Sequence, residues 1–150
     1  MNKSEQITNL HNQAMEIAEE AYFVQRKGEK EVADRHFKAA FELEKQAAML
    51  MIDDYEIEPT RSILFKGAAQ LAFNFNDFRA MEKMIGFALS GNPDEKTAFE
   101  LRQLLIDAEL EMIENNISKS MIKYKTLSND LQKEVDDFVE FLSQKYAKTA

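Results

Sequence analysis

The sequence predicts an all-α fold of about six helices, arranged as antiparallel helical hairpins stacked in a repeat-like manner. Three observations predict it. The 150 residues include only two prolines and four glycines, too few for the many turns of a β-rich fold. Ala, Glu, Lys, Leu, Met and Gln, the strong helix formers, dominate the long segments. Apolar residues recur at alternating spacings of three and four, the period of a single packed helix face.

The first helix begins at Ser4-Glu5-Gln6 and carries Ile7, Leu10, Ala14, Ile17, Ala21 and Val24 on one face. Arg26-Lys27-Gly28 ends it, because cations suit the last turn and glycine the left-handed position beyond it. The second helix restarts at Glu29-Lys30-Glu31 and places Ala33, Phe37, Ala40, Leu43 or Glu44, Ala47 and Leu50 or Met51 on one side. It is expected to run to about Asp54. Residues 53–58 then connect to a central hairpin that holds both prolines. Pro59 stands where a fixed φ and a missing N–H do little harm, and Thr60 or Ser62 can cap the third helix. Leu64, Ala68, Leu71, Ala72 and Phe75 form its apolar stripe.

Asn74-Phe75-Asn76-Asp77 supplies a turn and the next N-cap. Phe78, Met81, Ile85, Ala88 and Leu89 make the fourth stripe, which stops at Ser90-Gly91-Asn92-Pro93. Gly67 and Gly86 each lie about nine or ten residues from the Asn76 turn, so close helix approach is expected at both. The fifth helix starts at Asp94-Glu95 and carries Ala98, Leu101, Leu105, Ala108 and Met112, widened by Leu104 and Ile113. Glu114-Asn115-Asn116 reads as its fraying end and as a linker. Residues 1–116 then form a helical body, and residues 117–150 a C-terminal association segment. Residues 117–126 fit a short helix or a short extended piece. Ser128, Asn129 or Asp130 caps a last helix with Leu131, Val135, Phe138, Leu142 and Tyr146 on one face. Val139 and Phe141 widen that face enough that burial is expected.

Composition excludes several kinds of function. A net charge of −8 and a pI near 4.9 lack the cationic footprint that nucleic-acid binding needs. The charge is uneven: residues 1–117 carry 13 basic and 22 acidic side chains, and residues 118–150 carry 6 and 5. Cysteine is absent, which removes disulfides and thiolate chemistry. No apolar run approaches the roughly 18–20 residues of a membrane span, and the N-terminus lacks the apolar core of a signal peptide. A cytoplasmic protein is expected.

His11 and His36 fall on different helices and in no ligand pair, and Glu16, Glu19 and Glu20 lack the matching Glu-x-x-His elements of a bundle metal site. Gly86 to Gly91 has neither the lysine nor the strand of a phosphate loop. The serines form no nucleophile elbow. No catalytic, cofactor-binding or metal-binding residue is assigned, and the chain is not expected to be an enzyme.

Ala21, Gly28, Ala33, Phe37 and Ala40 around the first turn, and Ala69, Phe78, Ala88, Leu89 and Pro93 in the central hairpin, carry a pattern that resembles the tetratricopeptide repeat. There, small residues let paired helices approach and an aromatic fills the gap. The two units are offset by about 48 residues, whereas the family period is 34. Glu20 stands where an apolar residue is usual, and Met81 where the family has alanine. The resemblance implies a groove lined by first helices, at Met15, Tyr22, Gln25 and Arg26 and at Ile63, Lys66, Gln70, Phe73 and Asn74. Arg26, Lys66 and Asn74 would grip an acidic or C-terminal carboxylate of a peptide.

The run from Leu127 to Leu142, followed by Lys145-Tyr146, resembles a family of small bacterial domains of unknown function. Its signature is Leu-Pro, then Leu-Gln-x-Glu-Val-x-Asp-Phe-x-x-Phe-Leu and a closing Lys-Tyr, with Ser128 here in place of the proline. Some members of that family look like antitoxins. The resemblance implies an association helix, with Leu131, Val135, Phe138, Phe141, Leu142 and Tyr146 as partner-binding residues. The expected function is a protein–protein interaction module or adaptor, self-associating or binding a partner protein, with no nucleic acid and no membrane involved. The alternative is a regulatory antitoxin-like component whose last helix binds its partner.

Overall fold

The structure, a computed structural model, describes residues 2–147. Their regular structure is six helices: α1 (Lys3–Arg26), α2 (Lys30–Met49), α3 (Thr60–Asn74), α4 (Phe78–Leu89), α5 (Glu95–Lys125) and α6 (Asn129–Ala147). The chain forms two compact units, Met1–Ala108 and Glu109–Ala150, and α5 begins in the first and ends in the second.

In the first unit, Asn2 caps α1 in place of Ser4. Its side chain accepts from Glu5 N at 2.8 Å, and the Glu5 carboxylate accepts from Asn2 N at 2.9 Å, a reciprocal capping box. At the other end Gly28 has φ +82°, Gly28 N donates to Gln25 O and Glu29 N to Val24 O, so the expected left-handed stop is present. The short turn returns α2 along α1, where Ala18 and Ala21 meet Ala33, Phe37 and Ala40 in one core. Phe37 and Tyr22 meet edge to face, with ring centroids 4.9 Å apart. Glu44, not Leu43, is the residue of α2 that turns fully inward.

The second helix stops at Met49, short of the expected Asp54. Its end tightens into turns in which Met51 N donates to Ala48 O and Ile52 N to Met49 O. In the connection that follows, the Ile52 carbonyl accepts from Nε and Nη2 of Arg61 at 3.1 and 3.0 Å. Arg61 is wholly buried among the residues that shape this connection. Its guanidinium lies 4.6 Å from the Tyr55 ring centroid and 5.1 Å from that of Phe65, with Nη1 3.7 Å from Glu58 Oε1.

Neither Thr60 nor Ser62 caps α3. Glu58 takes that role, accepting from Ser62 N at 3.1 Å and from Ser62 Oγ at 2.8 Å, and Ser62 is buried. Asn76 adopts φ +63° and Asp77 accepts from Ala80 N at 3.0 Å, so the α3–α4 turn has the expected chemistry. Asp94 caps α5, accepting from Thr97 N at 2.9 Å and from Thr97 Oγ1 at 3.0 Å.

Within this unit neighbouring helices run antiparallel, and alternate helices lie side by side in two layers. Tyr22 of α1 meets Asn74 of α3, and Lys66 of α3 is ion-paired with Glu100 of α5. On the other side, Phe41 and Lys45 of α2 share a groove with Ala80, Lys83 and Met84 of α4. The core between the layers is built on Phe37, Phe65, Met81, Ile85 and Leu101.

The glycines correct one expectation. A Cβ on Gly67 would lie 2.7 Å from Glu44 Oε1, so the close approach there is between α3 and a buried carboxylate of α2. A Cβ on Gly86 would meet nothing within 4 Å, and that residue is exposed. Gly91 leaves room for the Arg61–Glu58 pair, because a Cβ there would lie 2.5 Å from Arg61 Nη1.

In the second unit the structure also departs from expectation. Asn115 and Asn116 do not end α5, which continues unbroken to Lys125. Asparagine is a mediocre helix former but not a breaker, and apolar residues at helical spacing continue on both sides of it. Gln132 Nε2 then donates to Tyr124 O and Leu127 O, and Ser128 Oγ faces Leu131 N at 3.5 Å, which sets the start of α6.

This packing ranks four substitutions by stability. Arg61→Ala leaves the Glu58 carboxylate and the Ile52 carbonyl without their partner and is expected to cost about 3–5 kcal/mol. Lys3→Ala, which loses only the Lys3–Asp54 surface pair, is expected to cost under about 1 kcal/mol. Gly86→Ala should stabilise by roughly 0.5–1 kcal/mol as helix propensity dictates, while Gly67→Ala should destabilise. Urea denaturation of the four variants checks the order.

Candidate functional site

From Glu109 onward no described residue is buried. Ala108 is the last core residue of α5. On α6, Leu131, Val135, Phe138 and Leu142 follow at spacings of four, three and four, so they form one seam. Val139 and Phe141 flank it. Phe138 and Phe141 are 60% and 57% exposed, and only Leu142 of the seam is half-buried. Lys133, Asp136, Asp137 and Glu140 occupy the other sides of the helix. Tyr146, the last residue expected on this face, is exposed, with the Lys145 ammonium 5.5 Å from its ring centroid. The six tail residues read from the sequence therefore lie on a single apolar surface that the described residues leave largely open to water.

The helix carrying them is joined to α5 by polar contacts. The Tyr124 hydroxyl lies 2.9 Å from both Asp136 carboxylate oxygens and donates to them. That bond to an anion raises the phenol pKa, with desolvation adding to it.

The residues assigned to the groove are placed in two groups. Tyr22 and Asn74 meet, with Asn74 Nδ2 donating to Tyr22 Oη at 2.8 Å. Lys66 and Gln70 line a groove of about 430 Å³ between α3 and the start of α5, with Phe99, Glu100 and Asp107 on its other wall. Lys66 already holds Glu100 there, and this hydrogen bond keeps the Glu100 carboxyl below the usual glutamate range. An incoming carboxylate would therefore meet an ammonium already paired with Glu100. Arg26 is exposed in the last turn of α1. Among the described residues, no three His, Asp or Glu side chains gather as metal ligands, and no helix is long and apolar enough to cross a membrane.

Sequence reasoning missed one polar pair, in which a buried carboxylate meets a partly exposed histidine. Nδ1 of His11 on α1 lies 2.9 Å from Glu44 Oε2 on α2. Both residues sit at helical spacing on core stripes, a signal available in the sequence. Burial pushes the Glu44 carboxyl above its ordinary pKa, and the hydrogen bond and charge of His11 pull it some way back.

Compared with protein-family models, curated proteins and solved structures, the chain matches none.

The raised Glu44 pKa has a definite sign. The native state holds this proton at pH values where the unfolded chain has released it. The contribution to stability is full below the ordinary glutamate value and is lost as pH rises through the raised one. Glu44→Gln keeps a hydrogen-bonding partner for His11 and removes the titration. As pH rises from about 4, near the ordinary glutamate value, through the raised Glu44 value, the wild-type urea midpoint should fall relative to that of the variant. Parallel curves would show that Glu44 does not titrate abnormally.

Proposed function

We propose that this chain is a protein–protein contact module that acts by burying helix faces, without a catalytic step, and that α6 is its contact helix. One observation carries the reading: Leu131, Val135, Phe138 and Phe141 form a contiguous apolar surface exposed in a chain whose first unit buries its own stripes well. Monomeric proteins rarely leave such a patch open unless it binds something. A seam of this kind docks by laying its apolar residues into a groove or against another helix. The α1, α3 and α5 layer supports a scaffold of the tetratricopeptide-like kind, since first helices lie side by side there. In this reading Tyr22, Lys66, Gln70 and Asn74 belong to the scaffold surface, and the tail supplies the affinity.

The test compares wild type with Phe138→Glu/Phe141→Glu, after circular dichroism has shown equal helix content. Each is cross-linked in its native cell, and the attached chains are identified. The double variant should lose at least tenfold of the dominant cross-linked species, whether that is another protein or a second copy. Equal recovery by both, or no cross-linked species with the wild type, would sink the proposal.

A further inference from the structure

The second half of α5 carries an apolar seam that the α6 reading does not use. Leu110, Ile113, Ile117, Met121 and Tyr124 follow at spacings of three, four, four and three. The pattern reads the same in both directions about Ile117. Leu110, Ile113 and Ile117 are each more than half exposed and Met121 is nearly so, with Tyr124 half-buried. At 1.5 Å per residue the stretch from Glu109 to Lys125 is about 24 Å long.

The charges beside this seam run in one direction. Glu109, Glu111 and Glu114 precede its centre, and Lys123 and Lys125 follow it, while Lys119 lies on the opposite side of the helix. No lysine or arginine lies between Glu109 and Glu114, and no acid between Lys119 and Lys125. On a helix of 100° per residue, Glu109 and Lys123 flank the seam on one side, and Glu111 and Lys125 flank it on the other. An antiparallel pair about a two-fold axis brings together residues equidistant from the axis on the same flank. With Ile117 on the axis, Glu109 of each copy meets Lys123 of the other, and Glu111 meets Lys125, each within about two residues of level. Ile113 meets Met121, and Leu110 meets the ring of Tyr124, whose hydroxyl stays bonded to Asp136 of α6. A parallel pair would instead set acids beside acids and lysines beside lysines.

We infer that the second half of α5 is a homodimerisation surface, in which a second copy of this chain packs antiparallel with Ile117 at the two-fold axis. A self-complementary surface of this type is what a two-fold interface requires. The seam excludes water, and the flanking Glu–Lys pairs fix direction and register more than they add affinity. This goes beyond the reading of α6, which rests on other residues.

The absence of cysteine makes the test direct, because each introduced thiol is unique. Under mild oxidation, Ile117→Cys should form a covalent dimer on its own. Ile113→Cys and Met121→Cys should each stay monomeric alone and form a covalent dimer when mixed. A second set reads the charges by sedimentation. Lys123→Glu/Lys125→Glu and Glu109→Lys/Glu111→Lys should each lose self-association, and an equimolar mixture should regain it. These are surface changes that leave the core of the first unit untouched.

Efficient self-cross-linking of Ile113→Cys or Met121→Cys would mean parallel pairing and overturn the inference. So would a wild-type chain that sediments as a monomer throughout the concentration series. A dimer indifferent to the charge reversals but lost in Phe138→Glu/Phe141→Glu would place the self-contact on α6. That outcome refutes the α5 inference while leaving the contact-helix reading intact.

Discussion

The first unit depends on a single buried guanidinium. A charge taken into a helical core is expensive unless it is paired, and Arg61 meets partners on four sides, although its Nη1 makes no hydrogen bond. The Ile52 carbonyl takes two of its N–H groups, Glu58 faces the third nitrogen, and Tyr55 and Phe65 lie against it. The Ile52 carbonyl lies just beyond the C-terminal end of α2, where the helix dipole favours a cation. One side chain thus ties the connection after α2 to the start of α3. Its influence reaches the end of α4 as well, because Gly91 must remain without a side chain for the Arg61–Glu58 pair to fit.

Glu44 acts in a similar way between α1 and α3. Its carboxylate occupies the space that a side chain at Gly67 would fill, and His11 reaches it from α1. A core rich in alanine brings helices close together and leaves little space for such groups. Each buried ionisable residue therefore comes with a small neighbour that makes room: Gly67 for Glu44, and Gly91 for Arg61. These pairs tie α1, α2, α3 and the end of α4 into one arrangement that apolar stripes alone would specify less tightly.

Apolar periodicity and turn chemistry made most of the helix plan legible. The stop at Gly28, the Asn76–Asp77 turn, the Asp94 start and the count of six helices all rest on local rules that the surroundings did not override. The errors have physical causes. Asp54 lies beyond the true end of α2, whose last turn tightens at Ala48–Ile52 before Arg61 takes the Ile52 carbonyl in the connection that follows. Ser62 resembles a cap, but its hydroxyl is turned inward to Glu58. Asn115-Asn116 resembles a linker only if weak propensity is read as a break, and helix propensity is too small a quantity to end a helix flanked by apolar repeats. Gly86 shows the limit of sequence spacing, since equal distance from a turn does not say which way a residue faces. The six tail residues were legible as one surface because an amphipathic stripe is a one-dimensional pattern. Its exposure is a three-dimensional property, which such a pattern does not carry.

That last distinction separates the two units. In the first, α1 to α4 and the start of α5 each turn a stripe toward a partner within the chain, and Ala, Phe and Met fill the spaces between them. In the second, apolar side chains are also regularly spaced, yet among the described residues none is buried. A helix with two faces can be stabilised by a core on one of them only where that core exists. For α5 it exists as far as Ala108. Beyond that residue the helix keeps its geometry through backbone hydrogen bonds and modest propensity, which are marginal supports in water for an isolated helix of this length. The seam centred on Ile117 therefore has a thermodynamic reason to be covered. Its mirror-symmetric spacing and opposed charges mean that another copy of the same helix meets the requirement without any new sequence.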